Sequence, residues 1–596
     1  MLSDFFHDPR VDTWIVTDDI VKIRLKTKAS ICSQVELLYG DPFDWHRTSN
    51  HEMVWSGEQN PCSPLSLIAN TQTFDYYEIT VPLPTKRAKY AFFIDGRYVV
   101  GSLAFIDTWA TPDKKYFLGH YFNIPYLLPQ NDFLAPEWMK KTIWYSIFPD
   151  RFCNVDNRFI GLCDWNQQEP RNDQFYGGNL KGITSKLDYL QGLGFNGIYL
   201  TPIFQSLSAH KYDTIDYFTI DPLFGSLEDL QELTRQAHFR GIRIVLDLVF
   251  NHVSIHHPFF QDVIQKGKNS PYYSAFYMKS ETIDIRSLEH FKQTNPFEVN
   301  YHIPYETFAF SYRMPKVNCD HPLIQKTFQE VALYWLDQAN VDGFRLDVAN
   351  EISHDFWRNL RKRVKSHYPN ACLIGESWDI TTSFLQGDQW DSLMNYPLTT
   401  IITEFFHPQS KRKLIEFQDS ITDLLHYYSE KQRAVLYNLI GSHDLARIFT
   451  LLEGHLPSVM QAFLMLYAFP GMPSVYYGDE VGLTGGKDPQ NRRPMIWEEA
   501  KQHQELKQFF TTLNHLYSQL EAFQSLHLTF LSRQESLVVF QKKDVYFFLN
   551  RSSNPCTFKM DAFQGEVLNH WTNEILVCDG ALQIPPYQFR IFSKTP

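Results

Sequence analysis

The sequence has few cysteines, no long apolar run and no excess of positive charge. Eight cysteines are scattered over 596 residues without a CxxC pair, and Cys32 and Cys372 sit in apolar runs. That spacing argues against a disulfide framework or a cysteine-based zinc site. No stretch approaches the ~20 consecutive apolar residues of a membrane helix. The N-terminal MLSDFFHDPR carries acids early and no apolar segment leading to a small-residue cleavage site, so no secretory signal is read. With 55 basic against 67 acidic residues the formal charge is −12, which argues against nucleic acid as a partner, because phosphate binding depends on a positive surface. These absences together predict a soluble protein, cytoplasmic or exported by a route that the sequence does not display.

Aromatic side chains are abundant at 16%, with 13 Trp and 32 Tyr. Composition alone leaves two uses open, large cores and flat platforms for sugar rings. The chain is too long for one hydrophobic core, so several domains are expected. Residues 1–125 alternate with period two in VKIRLKTK, YYEITVPL and YAFFIDGRYVVG, where Asp95-Gly96 marks a hairpin turn. An N-terminal β-sandwich is predicted there. A second, smaller β-sandwich is predicted over 515–596, from SLVVFQKKDVYFFLN and YQFRIF. Between them, over 126–514, short apolar runs alternate with helix-period segments: TIWYSIF, NGIYLTP, RIVLDLVF, VDGFRLDV, CLIGE, DSLMNY, AVLYNLIG and PSVYYGDE. Eight such runs with crossover helices describe an α/β fold, a parallel (β/α)8 TIM barrel. The rhythm breaks after the third run, where residues 252–320 show little helix pattern and read as an inserted subdomain beside the active site.

In such barrels chemistry sits where strands end. The third run ends in Asp247, Asn251 and His252, the fourth in Arg345 and Asp347, the fifth in Glu376 and the seventh in His443 and Asp444. A lone strand-end aspartate is usually a loop cap or an ion-pair member. Four carboxylates at one mouth are different, because crowding like charges costs energy that stability does not repay. Cleavage of a sugar acetal requires a pair of carboxyl groups, one ionised and one protonated. Arg345, two residues before Asp347 on the same strand face, holds that carboxylate ionised and aimed. Glu376, kept protonated by the negative charge around it, is the proton donor.

GFRLDVANE, GES, SHD and DLVFNH resemble the conserved segments of the α-amylase family of glycoside hydrolases. The resemblance extends to FYGGNLKGI, IYLTPIF, HKYDTIDYF, MNYP and GMPSVYYGDEVGLTGG. MPKVN, VANE and the N-terminal LLYGDPFDW are similar to the neopullulanase, cyclomaltodextrinase and maltogenic amylase subgroup. The resemblance implies a retaining hydrolase of α-1,4 links in cyclodextrins, pullulan or maltooligosaccharides, with some α-1,6 cleavage or transglycosylation. It makes Asp347 the nucleophile, Glu376 the general acid/base and Asp444 the third carboxylate, which grips sugar hydroxyls. His252 and His443 would hydrogen-bond the sugar at the cleavage point, with Asp247 and Arg345 beside them. Tyr212 would stack beneath the ring and His210 would line the same pocket. Asp488 and Arg492 would hold the non-reducing side, and Phe308 and Trp378 would face the leaving group. The same resemblance implies a homodimer whose N-terminal domain leans over the partner's site.

Two departures bear on acceptor preference. Ser377, Trp378 and Asp379 follow the acid where the family has an aliphatic residue and Trp-His, and Leu445 follows SHD in place of a small polar residue. No cofactor is required. Asn154, Asp156, Gly177 and Asn179 match part of a calcium site of the subgroup, with oxygen donors that suit that ion, but Phe159 and Ile160 stand where further ligands belong. The histidines of HVSIHHP lack an acidic or cysteine partner at zinc-site spacing. The rival readings are an α-glucosidase or trehalose-processing enzyme of the same family, and a non-catalytic relative. The first is disfavoured by the N-terminal domain and MPKVN, the second by the complete carboxylate trio.

Overall fold

Each of the eight apolar runs forms a strand of one parallel sheet. In the computed structural model these are β1 (Trp144–Ile147), β2 (Gly197–Leu200), β3 (Arg243–Leu248), β4 (Gly343–Leu346), β5 (Cys372–Gly375), β6 (Ser392–Leu393), β7 (Tyr437–Asn438) and β8 (Met472–Tyr476). They pair in the order β6-β5-β4-β3-β2-β1-β8-β7, and a parallel bridge from Met394 to Tyr437 joins the two ends of the ribbon. The structure describes residues 2–51, 53–59, 62–111, 120–127, 132–156, 161–166, 169–294 and 302–595. Apart from Arg243, every strand residue is buried. Both faces of a parallel sheet are covered, which is why these runs read as continuously apolar rather than alternating.

The crossovers include α1 (Leu227–Phe239), α2 (Pro322–Ala339), α3 (His354–His367), α4 (Tyr396–Phe406) and α5 (Leu456–Ala468), and α6 (Gln504–Gln519) follows the last strand. Local sequence sets their starts. Ser226 accepts the Asp229 N–H while Asp229 accepts the Ser226 N–H, a reciprocal cap on α1. Leu230, Leu233 and Ala237 then form its buried stripe.

The insert after β3 has more helix than its sequence suggested. Pro258–Lys266 and Ile285–Thr294 are both helical. The signal for the first was present: Pro258 stands at the first helical position, where a missing N–H costs nothing, and Phe260 and Val263 bury its inner face. Antiparallel bridges His252↔Lys316 and Phe276↔Val317 fold the insert back to the carboxyl end of β3.

The chain divides into two compact units. The first comprises Met1–Leu134 with Leu385–Gly387 and Ile415–Arg433. It contains two antiparallel sheets, one built on Ile20–Lys28 and Phe74–Pro82, the other on Val35–Gly40 and Ala88–Ile94. Val21, Ile23, Leu25, Leu37, Tyr90 and Phe92 fill the space between them. Asp95 and Gly96 both have positive φ, 50° and 63°, the conformation that a tight hairpin demands. Within this unit Arg24 is buried, bonded to Glu78 at 2.6 Å and to the His426 carbonyl at 2.7 Å. The second unit holds the barrel and the C-terminal strands, which form one six-stranded antiparallel sheet with an irregularity between Lys559 and Gln564. Among the described residues no helix is long and apolar enough to cross a membrane.

Gly343 opens β4 with φ 148°, and a Cβ there would lie 2.2 Å from the Cys372 carbonyl oxygen. Gly343→Ala is therefore expected to cost about 2–3 kcal/mol by overpacking, read as a lowered Tm. An unchanged Tm would mean that the β4–β5 pairing is not held this tightly.

Candidate active site

The sheet register brings the charges together. Asp247 on β3 pairs with Arg345 on β4, and Arg345 pairs with Ile374 on β5, two residues before Glu376. The Arg345 guanidinium thus faces three carboxylates. Its NH1 bonds Asp347 Oδ1 at 2.6 Å and both oxygens of Asp247 at 3.0 and 3.2 Å. Its NH2 lies 2.9 Å from Glu376 Oε2, an ion pair outside hydrogen-bond angles. All four side chains are buried. Asp347 Oδ2 is buried and has no hydrogen-bond partner, so one oxygen is clamped and the other has no donor, in a residue that lines the cavity.

Glu376 is held from two sides. The Val348 N–H donates to its Oε2 at 2.8 Å, and the Trp378 indole N–H to its Oε1 at 3.2 Å. Val348 reaches it from a left-handed conformation, φ 45° and ψ 39°. For a β-branched residue that backbone costs about 1–3 kcal/mol and persists only where the surroundings impose it. Trp378 is itself stacked on Tyr396, ring centroids 4.1 Å apart.

Around this core lies a cavity of about 460 Å³. The structure brings His210, Tyr212, Phe308, Asp347, Glu376, Trp378, His443, Asp444, Asp488 and Arg492 to its wall, ten of the thirteen catalytic and substrate-contact residues read from the sequence. The other three are beneath or behind it. Asp247 and Arg345 form the buried floor. His252 is fully buried, stacked on Phe308 with centroids 4.5 Å apart and planes within 4°, and both its ring nitrogens are without a hydrogen-bond partner. Met314, Asn350 and Glu351 also line the cavity. Tyr199 was missed; its hydroxyl donates to Asp247 Oδ2 at 2.5 Å. Its inward position in IYLTP was the only available signal.

Tyr212 stacks on His443 at 5.2 Å, and its hydroxyl lies 2.9 Å from Asp247 Oδ2 and 2.7 Å from His443 Nε2. Asp444 lies 3.1 Å from His443 Nε2 and 3.7 Å from Arg492 NH2, while Arg492 NH1 pairs with Asp488 at 3.0 Å. Burial pushes the histidines toward neutrality: His210 down to about 4, His252 down to about 3, and His443 well below its ordinary value with Arg492 and Arg345 adding to the effect. Burial pushes the carboxylates up. Asp247 moves to about 6, and Asp347 is held well above 3.8 by burial, opposed by Arg345 and reinforced by Glu376 and Asp247.

The residues matched to a calcium site meet one another, but as a hydrogen-bonded loop. Asn179 Oδ1 accepts the Gly182 N–H at 2.8 Å, and its Nδ2 donates to Asp156 Oδ1 at 2.9 Å and to the Gly177 carbonyl at 3.4 Å. An amide N–H thus lies against both the Asp156 Oδ1 and the Gly177 carbonyl. Phe159 and Ile160 lie outside the described residues.

The comparisons with known proteins agree along the chain. Residues 146–542 match the alpha amylase catalytic-domain model, and residues 1–128 match the alpha amylase N-terminal ig-like domain model. A cyclomaltodextrinase from Geobacillus thermopakistaniensis (strain MAS1) is 36% identical over 100% of this chain and 99% of its own. An intracellular maltogenic amylase from Bacillus subtilis is 33% identical over 98% of both. The solved structure of a cyclomaltodextrinase superposes with a TM-score of 0.88 at 33% identity, covering 100% of each chain.

Removing the shared cation leaves three buried carboxylates facing one another. Arg345→Met is expected to lower stability by about 3–5 kcal/mol at pH 7, with part of the loss recovered near pH 5 as the unpaired carboxylates protonate. A Tm deficit that does not narrow on acidification would show that the loss comes from packing and not from charge.

Proposed function

The chain belongs to the alpha-amylase family of glycoside hydrolases, in its cyclomaltodextrinase, maltogenic amylase and neopullulanase subgroup, and from that premise we propose how this α-glucan hydrolase works. Its substrates are α-1,4-linked glucans: cyclodextrins, pullulan segments and maltooligosaccharides. The relatives' own names, cyclomaltodextrinase and maltogenic amylase, support that choice.

The observation that carries the mechanism is the asymmetry of Asp347, with Oδ1 held by Arg345 and Oδ2 unpartnered. Oδ2 attacks the anomeric carbon while Glu376 gives its proton to the departing glycosidic oxygen. Glu376 then takes a proton from water, which releases the sugar from Asp347 with its original configuration. Two carboxyls that share one guanidinium leave little room for a water between them, which supports this retaining order over the water-spaced inverting one. Asp444, paired with Arg492, presents its carboxylate to sugar hydroxyls, and Tyr212 offers a ring face at the cavity wall. Trp378 stands on the leaving-group side, where its bond to Glu376 couples acceptor binding to the position of the acid.

Product chromatography on cyclodextrin, pullulan and soluble starch tests the substrate class. Cleavage of cyclodextrin in preference to starch is expected, and starch degradation without cyclodextrin opening would refute the reading. Asp347→Asn should abolish turnover on all three. Glu376→Gln should lose about 10²–10⁴-fold on natural glucans while retaining glycosylation from substrates with a good leaving group. Asp347 must ionise to attack, so the acid limb of kcat/KM should lie above the 3.8 of an ordinary aspartate. Asp247→Asn removes a neighbouring negative charge and should move that limb to lower pH. A limb that stays in place would uncouple it from Asp347.

The N-terminal domain is proposed to serve a homodimer, covering the partner's cleft, and the intracellular maltogenic amylase supports an intracellular location. Light scattering should give a dimer at micromolar concentration, and a monomer would remove that part of the proposal.

A further inference from the structure

A second cavity lies between α5, α6 and the C-terminal sheet. At about 550 Å³ it exceeds the 460 Å³ of the catalytic one, and the two share no lining residue. Its floor is aromatic. Phe509 and Phe589 are buried, and Trp571 stands against them with centroids at 5.4 and 4.7 Å. At the rim Tyr587 is 38% exposed and held at φ 56°. A tyrosine in that left-handed region is strained by about 1–2 kcal/mol, and its half-exposed ring stands edge-on to His455 with centroids 5.0 Å apart. Such outliers gather at functional sites.

Gln508 donates to Thr512 at 3.4 Å and Arg590 to the Phe589 carbonyl at 2.8 Å, but other polar groups at this cavity are unengaged. Among the described residues the Trp571 indole N–H, the Tyr587 hydroxyl, the Gln588 amide and the Glu505 carboxylate make no hydrogen bond with protein. An apolar peptide or a lipid would cover these groups and leave them unpaired, at a cost. A pyranose chain would not, because its C–H faces lie on aromatic rings while its hydroxyls reach outward to donors and acceptors.

We propose that this cavity is a second, non-catalytic binding site for α-glucan, which anchors a longer chain to the protein while the catalytic cavity acts on another part of it or on another chain. The proposal rests on the α-glucan reading of the active site and adds a site that this reading does not require.

Calorimetry with full-length Asp347→Asn protein and maltoheptaose tests it, because the ligand is not consumed. One binding event of the parent should be lost or weakened about 3–10-fold when Trp571→Ala and Tyr587→Ala are added. In otherwise wild-type enzyme the same pair should raise KM for soluble starch by a similar factor and leave cleavage of p-nitrophenyl α-maltoside within about twofold. Equal stoichiometry and equal starch KM in parent and variant would overturn the proposal. If the aromatic pair fails to fold, Glu505→Ala with Gln588→Ala, both on the exposed rim, reads the same two quantities. An enzyme inactive on p-nitrophenyl α-maltoside would defeat the catalytic reading instead, and the calorimetric comparison would still decide the second site.

Discussion

One buried guanidinium holds the site together. Arg345 touches Asp247, Asp347 and Glu376 with its two terminal nitrogens, so a single buried positive charge faces three buried acidic groups. That imbalance is costly in folding terms, since buried carboxylates resist ionisation unless each has a partner. Hydrogen bonds reduce the cost. Tyr199 and Tyr212 donate to Asp247, and the Val348 N–H and the Trp378 indole donate to Glu376. Asp347 alone keeps an oxygen with no donor, and it is the oxygen from which a nucleophile gains most by being bare.

The same economy of charge explains the histidines. His210, His252 and His443 are all pressed toward the neutral form by burial. Neutral rings give the site donors and acceptors without adding cations that would compete with Arg345 for the carboxylates. Arg492, also at the cavity wall, is paired with Asp488 and near Asp444. The two cationic centres therefore contact different carboxylates, and both charges bear on Asp444.

What was legible in the sequence follows from what is local. Each barrel strand is a short run buried on both faces, so eight apolar runs translated directly into eight strands. Arg345 and Asp347 are two residues apart on one strand, and their contact could be read from the alternation of side chains. Features set by distant chain segments were not legible. His252 lies behind Phe308 because the insert folds back through the His252↔Lys316 bridge, and nothing within HVSIHHP encodes that. The left-handed turn at Val348 is imposed by its surroundings against the residue's own preference. Residues 415–433 group with the N-terminal sheets, a partition decided by tertiary packing and invisible to periodicity. The second cavity likewise combines residues from α5, α6 and two loops of the C-terminal sheet.

The central claim is that the clamped, half-bare Asp347 beside Glu376 makes a covalent intermediate and so preserves configuration. Proton NMR of the first product released from a maltooligosaccharide, recorded before mutarotation, addresses this most directly. The account predicts the α-anomer as the initial signal, with the β-anomer growing only later. A β-anomer appearing first would contradict it.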